Sequence, residues 1–140
     1  MFTRLEGRLA RELQKHTGLS MADYTVLSNL VEVEQRKWRI TSMAEHMQWS
    51  QSRLSHQVRR MEERGLVRRE EDRGDARGTL IALTKDGLHA IAAAAPEHFG
   101  SVRRHMLDLL TERQLASLGQ ITDIGLTHLD GLDDSEGIDD

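Results

Sequence analysis

The chain has 140 residues, of which 38% are hydrophobic, 30% charged and only 4% aromatic. That length and composition fit one small, surface-rich helical domain and speak against a β-sandwich, which draws on aromatic and β-branched residues. There is no cysteine, which excludes a disulfide scaffold, a thiolate nucleophile, a thiol redox switch and any cysteine-ligated zinc.

The formal charge of −4 is unevenly spread. Positions 129–140 hold Asp130, Asp133, Asp134, Glu136, Asp139 and Asp140 without a single Lys or Arg, and read as a frayed acidic tail. The remaining residues, 1–128, carry 19 basic against 17 acidic side chains, a net +2. Net charge therefore does not decide for or against a nucleic-acid partner, because the local field is what attracts phosphate. The opening MFTRLEGRLARELQKH has no apolar h-region, and no run approaches 18 uninterrupted apolar residues. A cytoplasmic protein with no membrane partner is expected.

The first predicted helix carries Phe2, Leu5, Leu9 and Leu13 on one stripe and runs to about His16, where Thr17 and Gly18 end it. Ser20 is placed to cap a second helix, with Asp23 at its third position in a near capping box; Tyr24, Leu27, Leu30 and Val31 form its inner side. Trp38-Arg39-Ile40 reads as a short strand. Thr41 is expected to cap a third, short helix with Met43, Ala44 and Met47 inward. Ser50 is placed to cap a fourth, with Leu54, Val58 and Met61 repeating at four and three, and Gly65 stops it in the usual role beyond the last turn.

The period then changes. Residues 66–70 and 79–83 read as two strands joined by the polar loop EDRGDARG, a hairpin. Thr84 caps a long helix reaching about Leu110, which Pro96 is expected to kink or break. A last helix starts at Thr111, where Gln114 completes a capping box, and its stripe is Leu115, Leu118 and Ile121.

Two short helices joined by a tight turn, followed at once by a basic hairpin, make a winged helix-turn-helix pattern in a mainly α chain. With Leu54, Val58 and Met61 turned inward, Gln51, Ser52, Ser55, His56 and Arg59 face out, flanked by Ser50, Arg53 and Arg60. Short hydrogen-bonding groups early in the helix and arginines later suit a recognition helix whose first turns meet base edges in the major groove. Arg73 and Arg77 lie near the hairpin tip, within reach of a narrow minor groove. Asp75, two residues before Arg77, is read as orienting that arginine, since a carboxylate facing phosphate would repel. His56 is either a base or phosphate contact or a plain surface histidine.

The runs LSMADYTVLSNL and ITSMAEHMQWSQSRLSHQVRRMEERGLVRREEDRGDARGTLIALTKDG resemble the MarR (multiple antibiotic resistance regulator) family, from the first helix to about Leu129. The most specific pieces are RRMEERGLVRR, the wing motif Asp75-Ala76-Arg77-Gly78, and LIALTKDG after it. The resemblance implies a single domain over residues 1–128, with a DNA-reading head at about 20–84 and dimerisation helices at 1–16 and 85–128. It also implies a homodimer whose first and last two helices intertwine, a wing arginine at Arg77 entering the minor groove, and a small-molecule effector pocket between dimer core and head. For that pocket His16, Tyr24 and Trp38 are candidates, with Trp49; packing is the simpler explanation for each. The shortage of core in so helical a chain independently favours a second copy.

The expected function is a ligand-responsive repressor that binds a pseudo-palindromic operator in double-stranded DNA. Two other readings stand beside it: a zinc-responsive regulator using His89, His98 and His105, with Glu97 nearby, and a helical protein–protein interaction module. No metal site is assigned, no Gly-rich phosphate loop or nucleophile elbow is present, and an enzyme is not expected.

Overall fold

The computed structural model describes residues 1–74 and 77–136. In chain order they form α1 (Phe2–Thr17), α2 (Met21–Glu32), β1 (Lys37–Arg39), α3 (Ile40–Met47), α4 (Gln51–Glu63), β2 (Val67–Glu71), β3 (Thr79–Leu83), α5 (Lys85–His105) and α6 (Glu112–Glu136). This is the mainly α winged helix-turn-helix with a small sheet that the periodicity implies. The chain forms two compact units, Met1–Ser101 and Val102 onward. Among the described residues no helix is long and apolar enough to cross a membrane.

Local chemistry sets most boundaries in the first unit. Gly18 and Gly65 end α1 and α4 with φ of +74° at each, a backbone state that glycine adopts without steric cost. The three strands are antiparallel in the order β1-β3-β2, with Arg39 opposite Leu80 and Val67 opposite Leu83. Thr41 does not cap α3. The helix begins one residue earlier, at Ile40, directly from the strand-paired Arg39, so no linker remains in which a threonine cap fits.

Leu13 of α1, Val26, Leu27 and Leu30 of α2, Leu54, Val58 and Met61 of α4, Ile81 of β3 and Ile91 and Ala94 of α5 bury in one cluster. The first helix and the first half of the fifth thus share one core with the helices and strands between them, and the boundary between compact units falls inside α5. Helix α5 is not broken by Pro96: it is continuous to His105. The hydrogen bond that proline forfeits is offset because Ile91, Ala94 and Ser101 are buried on both sides of it, and the Ser101 hydroxyl donates to Glu12 of α1. The helix ends short of the expected Leu110, where Met106 leaves helical geometry (φ −141°, ψ −65°).

The start of α5 is docked on the end of α4. Thr84 Oγ1 accepts the Gly87 N–H at 3.0 Å and donates to the Gly65 carbonyl at 2.6 Å, capping one helix with an orphan group of the other. Gly87 is required by this approach, since a Cβ there would lie 2.0 Å from the Leu66 carbonyl oxygen and 2.8 Å from Leu83 Cδ1.

A second tie joins α2 to α4. Asp23, only 4% exposed, completes the capping box with Ser20, accepting the Ser20 N–H at 2.9 Å while Ser20 Oγ accepts the Asp23 N–H at 3.0 Å. The same carboxylate also accepts Gln57 Nε2 and Arg64 Nη1, each at 2.7 Å, and Arg64 Nη2 reaches the Gly18 carbonyl at 3.2 Å. Burial pushes the Asp23 carboxyl up, but the bonds from Arg64 and the Ser20 N–H outweigh it and hold the group below its ordinary 3.8.

In the second unit Thr111 and Gln114 form the expected capping box: the Thr111 N–H donates to Gln114 Oε1 at 2.9 Å, and the Gln114 N–H to Thr111 Oγ1 at 3.2 Å. Helix α6 continues to Glu136, into the segment that composition reads as tail, and leaves Ile121, Ile124, Leu126, Leu129 and Leu132 exposed.

Gly87→Ala should lower the unfolding free energy by about 2–3 kcal/mol, despite the better helix propensity of alanine. A urea midpoint equal to that of wild type would show that the close approach is not needed. For Asp23 the folded carboxyl is the stronger acid, so its contribution is complete above the unfolded value near 3.8 and fades as pH falls through the folded one. The stability gap between wild type and Asp23→Asn should therefore be flat at neutral pH and close in acid; a gap independent of pH would contradict the ion-paired assignment.

Candidate nucleic-acid interface

Helix α4 is built to show one face. Leu54, Val58 and Met61 are 0% exposed, whereas Gln51, Ser52, Arg53, His56, Arg59 and Arg60 are exposed and Ser55 half-buried. Ser50 begins the helix as expected, its Oγ accepting the Arg53 N–H at 3.1 Å. Gln57 turns inward to Asp23, so one polar residue in this run is structural. Arg53 folds back over Trp49, its guanidinium carbon 3.9 Å from the ring centroid, a cation–π contact.

The hairpin is tied to α4 and to β1. The Arg69 N–H donates to Glu62 Oε2 at 2.9 Å, and Arg69 Nη2 to the Ser55 carbonyl at 3.2 Å. Asp72 closes the base of the loop, its N–H donating to the Gly78 carbonyl at 3.0 Å and its Oδ1 accepting the Gly74 N–H at 3.0 Å. Its Oδ2 is paired with Arg39 from β1. Glu70 takes Lys37 Nζ at 2.7 Å and Arg68 Nε at 2.8 Å. The Lys37 ammonium holds the Glu70 carboxyl low, as the Arg39 guanidinium does for Asp72. These pairings escaped the sequence reading; the available signal was Lys37 and Arg39 two apart on a strand, against Glu70 and Asp72 two apart at the end of another. Arg73 and Arg77 are exposed at the tip. Asp75, read as the orienting residue, lies outside the described residues.

The three pocket candidates each meet a different aromatic or charged neighbour. Trp38 packs on the core with its ring 5.0 Å from that of His46. His16 Nδ1 is 3.5 Å from Glu97 Oε2. Tyr24 meets His98, ring centroids 4.7 Å apart. Burial lowers the pKa of His98 and raises that of Tyr24, and His98 Nδ1 is buried without a hydrogen-bond partner among the described residues. His98 also lines a groove of about 540 Å³ with Thr3, Glu6, Leu9, Ala10 and Met21. Among the described residues no three His, Cys, Asp or Glu side chains converge on a point suited to a metal, so His89, His98 and His105 are not brought together as one site.

The family model described as Transcriptional regulator SarA/Rot matches residues 8–93. The fold superposes on AbsC, a MarR family transcriptional regulator from Streptomyces coelicolor, with a TM-score of 0.82 and 42% identity over 93% of this chain and 87% of that one. Sco3205, a MarR family regulator from the same organism solved in complex with DNA, gives a TM-score of 0.83 and 39% identity over 91% of this chain and 80% of that one. The transcriptional regulator HosA of Escherichia coli is 49% identical over 43 residues, 31% of this chain and about a third (32%) of HosA itself. These relatives are transcriptional regulators, not enzymes. A winged head, a capped helix with one bare polar face and an arginine-tipped hairpin thus coincide with close likeness over nearly the whole length, and the chain belongs to the MarR family of transcriptional regulators, within reach of the SarA/Rot model.

Proposed function

We propose that the chain acts in the cytoplasm as a homodimeric repressor that reads a pseudo-palindromic operator and releases it on binding a small molecule. The observation that carries this reading is the exposed face of α4 standing beside a hairpin that is hydrogen-bonded to the same helix through Arg69. Gln51, Ser52 and Ser55 meet base edges in the major groove, with His56 at their side. Arg53, Arg59 and Arg60 take phosphates, and the N-terminus of α4 at Ser50 presents its free N–H groups to another. Arg73 and Arg77 enter the flanking minor groove, with Asp75 orienting Arg77. The 39% identical Sco3205, solved with DNA, supports this reading.

Exposed apolar side chains along α6 and at Phe2 support the dimer, since leaving them in water forfeits their burial. Two heads then address half-sites one helical turn apart, about 34–36 Å. The groove beside His98 and Tyr24 is the best-supported effector site: its occupant shifts the population toward a head spacing that no longer fits the operator.

Fluorescence anisotropy on operator and random duplexes tests the reading. Affinity should fall steeply with salt. Arg77→Ala should weaken binding to both duplexes alike and lower the salt slope by about 1, whereas Arg59→Ala should cost about 1–3 kcal/mol on the operator and relax sequence preference. Wild-type affinity in both variants, or salt-independent binding, would overturn the assignment and favour a protein-binding module.

A further inference from the structure

Helix α1 borders two grooves that meet. In the first, of about 540 Å³, Leu9, Ala10, Met21 and His98 are half-buried and Thr3 and Glu6 are exposed. The second, of about 380 Å³, shares Ala10 and Met21 with it and continues past Gln14 to Arg11 and Lys15. The two together make a trough that follows α1 from Thr3 to Lys15, about 18 Å at the helical rise. Such a length exceeds what a single aromatic ring fills.

Charge sorts the two ends. The first groove is lined by Glu6 and by no Lys or Arg, and burial favours the neutral form of its histidine. The second is lined by Arg11 and Lys15 and by no acid. Nearby on α1, Arg8 is engaged by Glu12 and His16 by Glu97, whereas among the described residues neither Arg11 nor Lys15 has a carboxylate partner. Arg11 also leans back along the helix, as long side chains on a helix do: a Cβ on Gly7, which lines the first groove, would lie 3.3 Å from Arg11 Nη1. Its guanidinium therefore stands beside the apolar half of the trough.

We infer that the trough along α1 binds a free anionic amphiphile of the fatty-acid class, its carboxylate on Arg11 and Lys15 and its hydrocarbon tail running over Ala10 and Met21 toward Leu9 and His98. The inference rests on the effector reading above and names the ligand. The tail supplies the affinity, since each methylene taken from water adds its own contribution. The charges supply the direction: a reversed molecule would set its carboxylate against Glu6 and leave both cations without a partner.

The test is calorimetric titration of the full chain with octanoate, decanoate and dodecanoate below their micelle concentrations. Binding should saturate at one molecule per chain and tighten about two- to fourfold per added methylene. Dodecyltrimethylammonium and benzoate should each bind about tenfold more weakly than dodecanoate, the first for its charge and the second for its length. Arg11→Ala with Lys15→Ala should weaken dodecanoate about tenfold while the dependence on tail length persists, and Ala10→Phe, which fills the junction, should abolish that dependence. Circular dichroism confirms that both variants fold. Affinity indifferent to tail length or to head-group sign, or unchanged in both variants, would overturn the inference. Adsorption to phosphatidylglycerol vesicles without uptake of free dodecanoate would make the trough a membrane-facing surface instead. A dimer weakened by Ala10→Phe, in a protein that takes up no dodecanoate, would give the trough to a second copy. Operator release is followed separately by anisotropy. Dodecanoate that binds as described and leaves the operator bound would establish the site and overturn the effector reading, whereas release by benzoate with no uptake of dodecanoate would do the reverse.

Discussion

One buried carboxylate, that of Asp23, decides how α4 is held. Apolar contacts through Leu54, Val58 and Met61 keep α4 on the core but are non-directional, and a helix resting on such a stripe can slide or roll at little cost. Asp23 removes that freedom. Its two oxygens are satisfied by the first turn of α2 and by Gln57 and Arg64 of α4 and the residue after it, so a shift of α4 by one register strands a charge away from water. Breaking such a pair costs far more than the pair contributes, which makes it a device for orientation more than for stability.

The hairpin follows the same logic with exposed groups. A chain of net charge −4 presents basic side chains beside α4 while three nearby carboxylates, Glu62, Glu70 and Asp72, are engaged internally. Glu62 accepts the Arg69 N–H, Glu70 takes Lys37 and Arg68, and Asp72 takes Arg39 and the Gly74 N–H. Individually these surface contacts contribute little energy. Collectively they set the direction of the hairpin relative to α4 and mask negative charge that would oppose phosphate.

What was legible in the sequence was local. Ser20, Ser50, Thr84 and Thr111 reveal caps, and Gly18 and Gly65 reveal stops, because each acts within one turn of chain. The exposed polar face of α4 was legible too, since a three-four spacing of apolar residues leaves its complement outward. Gln57 and Arg64 were not, because their partner lies 34 and 41 residues away. Arg39 and Asp72 are separated by 33. The break expected at Pro96 failed for the same reason: a local helix rule met tertiary burial of Ile91 and Ser101, and burial won. Gly87 was visible as part of LIALTKDG, but why glycine stands there emerges only from the Leu66 carbonyl across the turn.

The stacking of Arg53 on Trp49 bears on the cost of recognition. A free arginine surrenders up to about 2 kcal/mol of rotamer freedom when a partner immobilises it. Here the indole has already confined that side chain at the threshold of α4 before any partner arrives, so the ordering is charged to folding rather than to encounter. Any partner that meets Arg53 therefore finds a side chain whose freedom in solution the neighbouring indole has already narrowed.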